Sequence, residues 1–342
     1  MQLDAGLAVD GKHLPTIDEV GRAAESLGFA GLWTSETKHD SFLPLAVAAN
    51  NTTRLDLGTS IAIAFSRSPM TMAQTSWDLQ ELSDGRFILG LGTQVKAHIE
   101  RRFSMPWGRP AARLEDYILA LRAIWRSFQT KEPLDYKGEF YQHTLMTPFF
   151  NPGPIEHAVI PIYIAGVNTR LARLAGELCD GFHIHPFHTP EYVRQIVKPA
   201  IKEGAERKNR NPEDIKLATS VFVITGETEE EVEEQREKMR AQTAFYASTP
   251  SYRVVLEAHG WEEVGEELGK LARDKKWDEM PKLITDEMLR TFAVEATLDE
   301  VGPALRERYE GLMDRVALYV PFVPGERDEF WQATVEAAHG SG

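Results

Sequence analysis

The sequence predicts an α/β chain folded as a parallel (β/α)8 TIM barrel with insertions. Three observations predict it. From Leu3 to Leu91, short apolar runs alternate with amphipathic stretches four times over, the pattern of a parallel sheet covered by helices. Gly31–Ser35, Phe87–Leu91 and Ile162–Ala165 are short and almost wholly apolar, as strands buried on both faces are. The alternation then resumes after each irregular stretch and reaches an eighth strand at Val316–Val320, which suits a barrel with insertions. A doubly wound sheet is the competitor. It usually carries a glycine-rich fingerprint after its first strand, and Val9-Asp10-Gly11 carries none. No internal repeat is visible.

In chain order, Leu3–Val9 alternates weakly and is the first strand. Pro15 opens a helix with Ile17, Val20, Ala24 and Leu27 on one face, and Gly28 ends it. Gly31–Ser35 is the second strand, followed by the polar turn Glu36–Asp40 and a helix over Leu43–Asn50. Leu55–Ile63 is the third strand and Pro69–Leu82 its helix. Asp84-Gly85 turns the chain into the fourth strand. His98–Pro106 reads as a loop, and Ala111–Phe128 as a helix with Leu114, Ile118, Leu121 and Trp125 at helical spacing. Residues 131–159 lose the pattern and form an insertion with a small hairpin, Leu134–Tyr136 against Glu139–Tyr141. Pro161–Phe187 then reads as strand, tight turn, helix and strand, one parallel βαβ unit. A helix over Glu191–Lys208 and a strand over Leu217–Ile224 follow. The helix Glu227–Phe245 starts with Glu229-Glu230-Glu231, a solvated face favoured by the helix dipole. Residues 248–296 form a second, mostly helical insertion. Helices over Leu298–Tyr309 and Asp328–Ala338 flank the last strand. The expectation is one barrel domain over residues 1–342, with insertions near 131–159 and 248–296.

The 342 residues are 42% hydrophobic, enough for a large core, and carry a net charge of −14. That balance disfavours a dedicated nucleic-acid binder, which shows a basic footprint. The single cysteine, Cys179, cannot form an internal disulfide, and its neighbours Leu178 and Ala175 suggest a buried, inert thiol. No signal peptide is visible, and no apolar run approaches the ~20 residues of a membrane helix. A cytoplasmic protein with a small-molecule substrate, no nucleic acid and no membrane partner is expected.

In such a barrel the active site lies at the C-terminal strand ends. These read Ser35-Glu36-Thr37-Lys38-His39 after strand two, Gly58-Thr59-Ser60-Ile61 within strand three, Gly92-Thr93-Gln94 after four, Gly166-Val167-Asn168-Thr169 after five, His185–His188 after six and Pro321-Phe322 after eight. They are small, polar or neutral, suited to a flat anionic molecule more than to a strong nucleophile. The turn at Gly166 opens a helix that Asn168 or Thr169 can cap, and such a helix start binds anions; an ordinary tight βα turn explains the glycine equally well. His183 and His185, two apart on a strand, raise a metal site, but zinc normally takes three protein ligands and no His-x-His follows the first strand. No Gly-x-Ser-x-Gly elbow is present, and Cys179 sits inside a helix rather than at its start.

Three stretches, in this order and spacing, carry a resemblance: Gly31–Glu36; Leu57–Ile61 with Arg67-Ser68-Pro69; and Leu82–Thr93, reading LSDGRFILGLGT. Ala165-Gly166 and Asp180-Gly181-Phe182 add to it. The chain resembles the bacterial luciferase-like monooxygenase superfamily over nearly its whole length, on the branch that uses the deazaflavin coenzyme F420. The resemblance implies an F420-dependent oxidoreductase that moves a hydride to or from a small organic substrate. It implies a non-prolyl cis peptide at Ser60–Ile61, bulging behind the deazaflavin ring with Thr59 beside it, and Glu36 approaching the ring. It also implies that Gly92, Thr93 and Gln94, with Ala165, Gly166, Val167, Asn168 and Thr169, hold the ribityl chain and phosphate. A homodimer is expected.

The chain also departs from that pattern. The dehydrogenases of this branch carry Ser-Asp-His after strand two, whereas this chain has Ser35-Glu36-Thr37 with His39 two residues late; they carry an acid after Gly-Thr, where Gln94 and Val95 stand here. His39 and Glu36 are therefore the candidate catalytic pair, His39 because its ordinary pKa suits proton transfer near neutrality. Arg67, Lys96, Arg101 and Arg102 could meet the acidic tail of F420, or simply be solvated. The insertions could roof the pocket with Phe149, Phe150, Tyr246, Tyr252 and Trp261, or cover helices or a dimer interface. The alternatives are a reduced-FMN monooxygenase on the same barrel, a metal-dependent hydrolase resting on His183 and His185, and a catalytically silent flavin-binding relative.

Overall fold

A computed structural model describes residues 1–7 and 16–340. Eight parallel strands close into a barrel: β1 (Gln2–Leu7), β2 (Gly31–Thr34), β3 (Asp56–Thr59), β4 (Phe87–Gly92), β5 (Ile162–Gly166), β6 (Gly181–Ile184), β7 (Lys216–Ile224) and β8 (Arg315–Leu318). Each pairs with the next, and β8 pairs with β1 through Leu3 opposite Val316. The fold is the expected (β/α)8 TIM barrel. The end of the first predicted strand, Ala8-Val9, and the helix start at Pro15 lie outside the described residues.

The covering helices are α1 (Ile17–Leu27), α2 (Leu43–Asn51), α3 (Pro69–Leu82), α4 (Pro110–Thr130), α5 (Thr169–Leu178), α6 (Lys198–Arg207), α7 (Val301–Tyr309) and α8 (Asp328–His339). Their starts follow from local chemistry. Ser68 caps α3, its hydroxyl accepting from the Thr71 N–H at 3.2 Å, with Pro69 at the first helical position. The acidic helix spans Glu229–Ala247 and is capped by Thr228, whose hydroxyl accepts from the Glu231 N–H.

Five elements differ from expectation. The third strand, expected over Leu55–Ile63, breaks at Ser60–Ile61, and Ala62–Ile63 resumes the pairing with β4. Residues expected as a loop after β4 contain a short helix, Lys96–Arg101. The hairpin pairs Tyr136–Lys137 with Gln142–His143, not the residues expected. The Asp116 carboxylate sets this register by accepting from the backbone N–H groups of Phe140 and Tyr141 and from the Tyr136 hydroxyl. The expected helix over Glu191–Lys208 is interrupted by a wider π turn at Val193–Val197, just before Pro199, which has no N–H to give. The second insertion ends in an additional parallel strand, Ala293–Glu295, on the outer end of β7.

The barrel interior is layered. At the strand starts Arg315 on β8 forms a two-pronged ion pair with Asp4 on β1, at 2.8 Å for each bond, and reaches Asp56 on β3 at 2.6 Å. The surrounding carboxylates keep the guanidinium charged despite its burial. Above it lie Trp33, Ile88, Tyr163 and Ala218, all buried, with Arg315 stacked 5.4 Å from the Trp33 ring. Cys179 is fully buried, and burial pushes its thiol up to about 12.

Candidate active site

Above the Trp33 layer a cavity of about 340 Å³ opens at the C-terminal strand ends. Its walls come from β1, β2, β3, β6, β7 and β8, and include Gly6, Trp33, Ser35, Ser60, His183, Ser220 and Tyr319. His183 stands edge-on to Trp33 at 4.8 Å. Burial, then the charge of Arg315, pushes its pKa down to about 3, so the ring is neutral, and its Nε2 has no hydrogen-bond partner. A larger recess of about 860 Å³ lies on the flank beside the added strand. Two of its four arginines are engaged, Arg236 with Glu295 and Arg308 with the carbonyls of Arg290 and Ala293, and it lies away from the C-terminal strand ends where barrel active sites form. The strand-end cavity is therefore the candidate site.

The loop after β2 is held by charge. One oxygen of Glu36 accepts from the Ile63 N–H and from Arg67, both at 2.7 Å, and Arg67 also reaches Asp40 at 2.8 Å. Glu36 is nearly buried in this pair, so its charge is compensated and it orders the turn that carries His39. His39 itself is half-buried and hydrogen-bonds to none of the described residues. The Ser60–Ile61 peptide is cis, as the resemblance implied. The Thr59 hydroxyl is fully buried and exchanges both of its hydrogen bonds with Gly90, at 2.7 and 2.9 Å, so its side chain belongs to the barrel wall and only Ser60 and Ile61 are partly open.

On the next two strands, Gly92 leaves room for Ile61, whose Cδ1 would lie 2.5 Å from an added Cβ. Thr93 and Gln94 follow, half-buried, with Gln94 at φ 56°. After β5 the chain turns at Ala165-Gly166-Val167. A Cβ on Gly166 would lie 2.7 Å from that of Leu171, so glycine lets the turn close onto the first turn of α5. Asn168 caps that helix through the Leu171 N–H at 3.0 Å. The N–H groups of Thr169 and Arg170 lack intrahelical partners, as the first N–H groups of any helix do, and both residues are exposed. The expected capped helix start is thus formed. Of the four basic residues considered for the mouth, Arg67 is committed to Glu36 and Asp40, Arg102 binds the Thr37 carbonyl, and Lys96 and Arg101 are exposed.

The β6–β8 side holds residues the sequence argument treated only as metal candidates or as a roof. Among the described residues, no group of three His, Cys, Asp or Glu side chains converges as metal ligands would. His185 instead enters an aromatic cluster, stacked on Tyr252 at 4.6 Å and edge-on to Tyr246 at 4.7 Å. Tyr246 reaches the cavity lip, its hydroxyl 2.7 Å from that of Tyr319, and Tyr252 packs behind it with His185, outside the cavity lining. Phe149 and Phe150 do neither: they are exposed and pack on each other beside Asn151, which is tied to the Ser127 carbonyl near the end of α4. Barrel helices run back toward the strand starts, so this puts the pair at the opposite end of the molecule. Trp261 stacks on His259 away from the cavity lining. Alternation along β6, β7 and β8 could have flagged the cluster, because His185, Phe222 and Tyr319 each stand two residues beyond a cavity-lining residue.

The closed parallel barrel, the cavity at its C-terminal strand ends and the ordered polar turn after β2 define a (β/α)8 barrel with one candidate site at that face. The chain belongs to the luciferase-like monooxygenase family, whose family model matches residues 2–315. It is 47% identical over 294 residues, 86% of each chain, to an uncharacterized protein of Mycobacterium tuberculosis. It is 27% identical to the 5,10-methylenetetrahydromethanopterin reductase of Archaeoglobus fulgidus, covering 90% of both. Its fold superposes on the coenzyme F420 dependent tetrahydromethanopterin reductase of Methanopyrus kandleri with a TM-score of 0.77 at 21% identity, covering 99% of this chain and 98% of that one.

Proposed function

We propose that this chain is an F420-dependent oxidoreductase that transfers a hydride between the deazaflavin and a small organic substrate. The observation that carries the proposal is the juxtaposition at one barrel end of the strand break at Ser60–Ile61, the Gly92–Gln94 turn and the capped α5 start. These fit a flat ring with a ribityl phosphate. Backbone atoms of Ser60 and Ile61 back the ring; Gly92, Thr93 and Gln94 line the ribityl chain; Gly166, Val167, Asn168 and Thr169 bring helix N–H groups to the phosphate. When bound, the deazaflavin supplies the carbon that gives or takes the hydride. The protein's share is orientation and exclusion of water. His39, on the turn that Glu36 and Arg67 hold in place, gives or takes the accompanying proton.

F420 rather than FMN is supported by a relative in Mycobacterium tuberculosis, 28% identical over 307 residues, that is named a putative coenzyme F420-dependent oxidoreductase. The family's own description, a monooxygenase, favours reduced FMN as the second reading. Titration of the protein with each cofactor, followed by fluorescence, tests the choice. Binding of F420 at least tenfold tighter than FMN is expected; tighter FMN binding would transfer the chain to the monooxygenase reading.

A further inference from the structure

Resting on that reading, and deepening it, we propose that the substrate is an uncharged aromatic or conjugated carbonyl compound, or its alcohol, whose oxygen is bound by Tyr319 against a wall formed by Tyr246, Tyr252 and His185. Tyr319 stands at the cavity lip, two residues beyond Ala317, and is 38% exposed. Its hydroxyl lies 2.7 Å from that of Tyr246. Tyr246 is the more buried, and burial, then the neighbouring Tyr319 hydroxyl, raises its pKa, so it stays protonated. When Tyr246 spends its proton on the Tyr319 oxygen, the Tyr319 proton is free to point outward to an acceptor.

The wall is neutral. Nδ1 of His185 accepts the Phe187 N–H at 3.1 Å, which places the ring proton on Nε2. Burial pushes the imidazole down to about 3, so His185 is a neutral donor and carries no positive charge. Phe222 lies edge-on to Tyr319 at 4.9 Å and Phe187 packs beside Tyr252. Among the described residues lining the cavity there is no lysine or arginine, and its one carboxylate, Asp4, is committed to Arg315. An anionic substrate, such as a sugar phosphate, would meet no counter-charge there and lose its hydration. A flat neutral ring would gain edge and face contacts with the tyrosines.

Isothermal titration calorimetry on the cofactor-free full-length protein tests this with three probes: 2-acetonaphthone, cyclohexanone and glucose 6-phosphate. Acetonaphthone is expected to bind at least tenfold tighter than cyclohexanone, with no heat from glucose 6-phosphate. Tyr319→Phe, which removes one hydroxyl and keeps the ring, is expected to weaken acetonaphthone about fivefold; Tyr252→Ala to weaken it tenfold or more; and Tyr252→Phe to leave it within twofold. Glucose 6-phosphate binding as tightly as acetonaphthone, or acetonaphthone affinity unchanged in either Tyr319→Phe or Tyr252→Ala, would overturn the proposal. The same samples titrated with F420 separate the two readings. Failure of F420 with acetonaphthone retained refutes the cofactor, whereas F420 binding without acetonaphthone binding refutes the wall.

Discussion

Replacing Arg315 with methionine would leave two carboxylates facing each other at the barrel floor without a cation. The Arg315 and Asp4 side chains are 6% and 2% exposed, so little water can compensate. Breaking such a buried pair by removing one partner costs about 3–5 kcal/mol. Asp56 is one-third exposed and adds little beyond this. A chain of 342 residues has an unfolding entropy near ~0.7 kcal/mol/K if it unfolds as one unit. The expected loss is therefore ~4–7 °C in Tm, read by scanning calorimetry at neutral pH. Adding Asp4→Leu to Arg315→Met removes the orphaned charge and should recover part of the loss, since apolar replacement of a whole buried pair is often neutral. A fall below about 1 °C in the single variant would refute the reasoning, because it would mean that Asp4 is solvated and the floor is open.

Three further outcomes are expected. His183 and His185 are depressed to about 3 and His188 to about 4, below the ordinary 6.5, so each is neutral when folded and takes up a proton on unfolding; their stabilisation is complete above about pH 6.5 and drains away as pH falls toward 3–4. The three together should cost ~3–4 kcal/mol between pH 6 and 5, and chemical denaturation at the two values should show a smaller slope in His183→Phe. Glu36→Gln should cost ~1–3 kcal/mol by weakening its charged bond to Arg67, and should speed hydrogen exchange at the Ile63 amide, whose proton Glu36 accepts; an unchanged amide would remove Glu36 as the organiser of the turn. Cys179, buried with its thiol near 12, should resist iodoacetamide at pH 8 in the native protein and react on unfolding, whereas rapid native alkylation would show that α5 opens.

The eight strands were legible because a doubly buried parallel strand leaves a short, uninterrupted apolar run, as in Phe87–Leu91. Helix starts were legible where a side chain caps them, as at Asn168 and Ser68. The hairpin register was not, because Asp116 fixes it from a helix 20 and more residues earlier in the chain. The added strand Ala293–Glu295 was also hidden, being three residues whose only strand character comes from lying along β7. In the site, glycine turns and the α5 start could be read as local backbone chemistry. Three assignments could not. Thr59 points into the wall because its hydroxyl is taken by Gly90 of the neighbouring strand; Glu36 meets Arg67 only when two loops are brought together; and Tyr246 and Tyr252 join the strand-end residues His185 and Tyr319 only in the folded barrel.

The central claim is that F420 occupies the ends of β3, β4 and β5, and hydrogen–deuterium exchange with and without F420 tests it most directly. Protection is expected in peptides covering 58–63, 91–95 and 165–171, and little change around Phe149. Protection absent from those three segments under saturating F420, or produced by FMN and not by F420, would contradict the account.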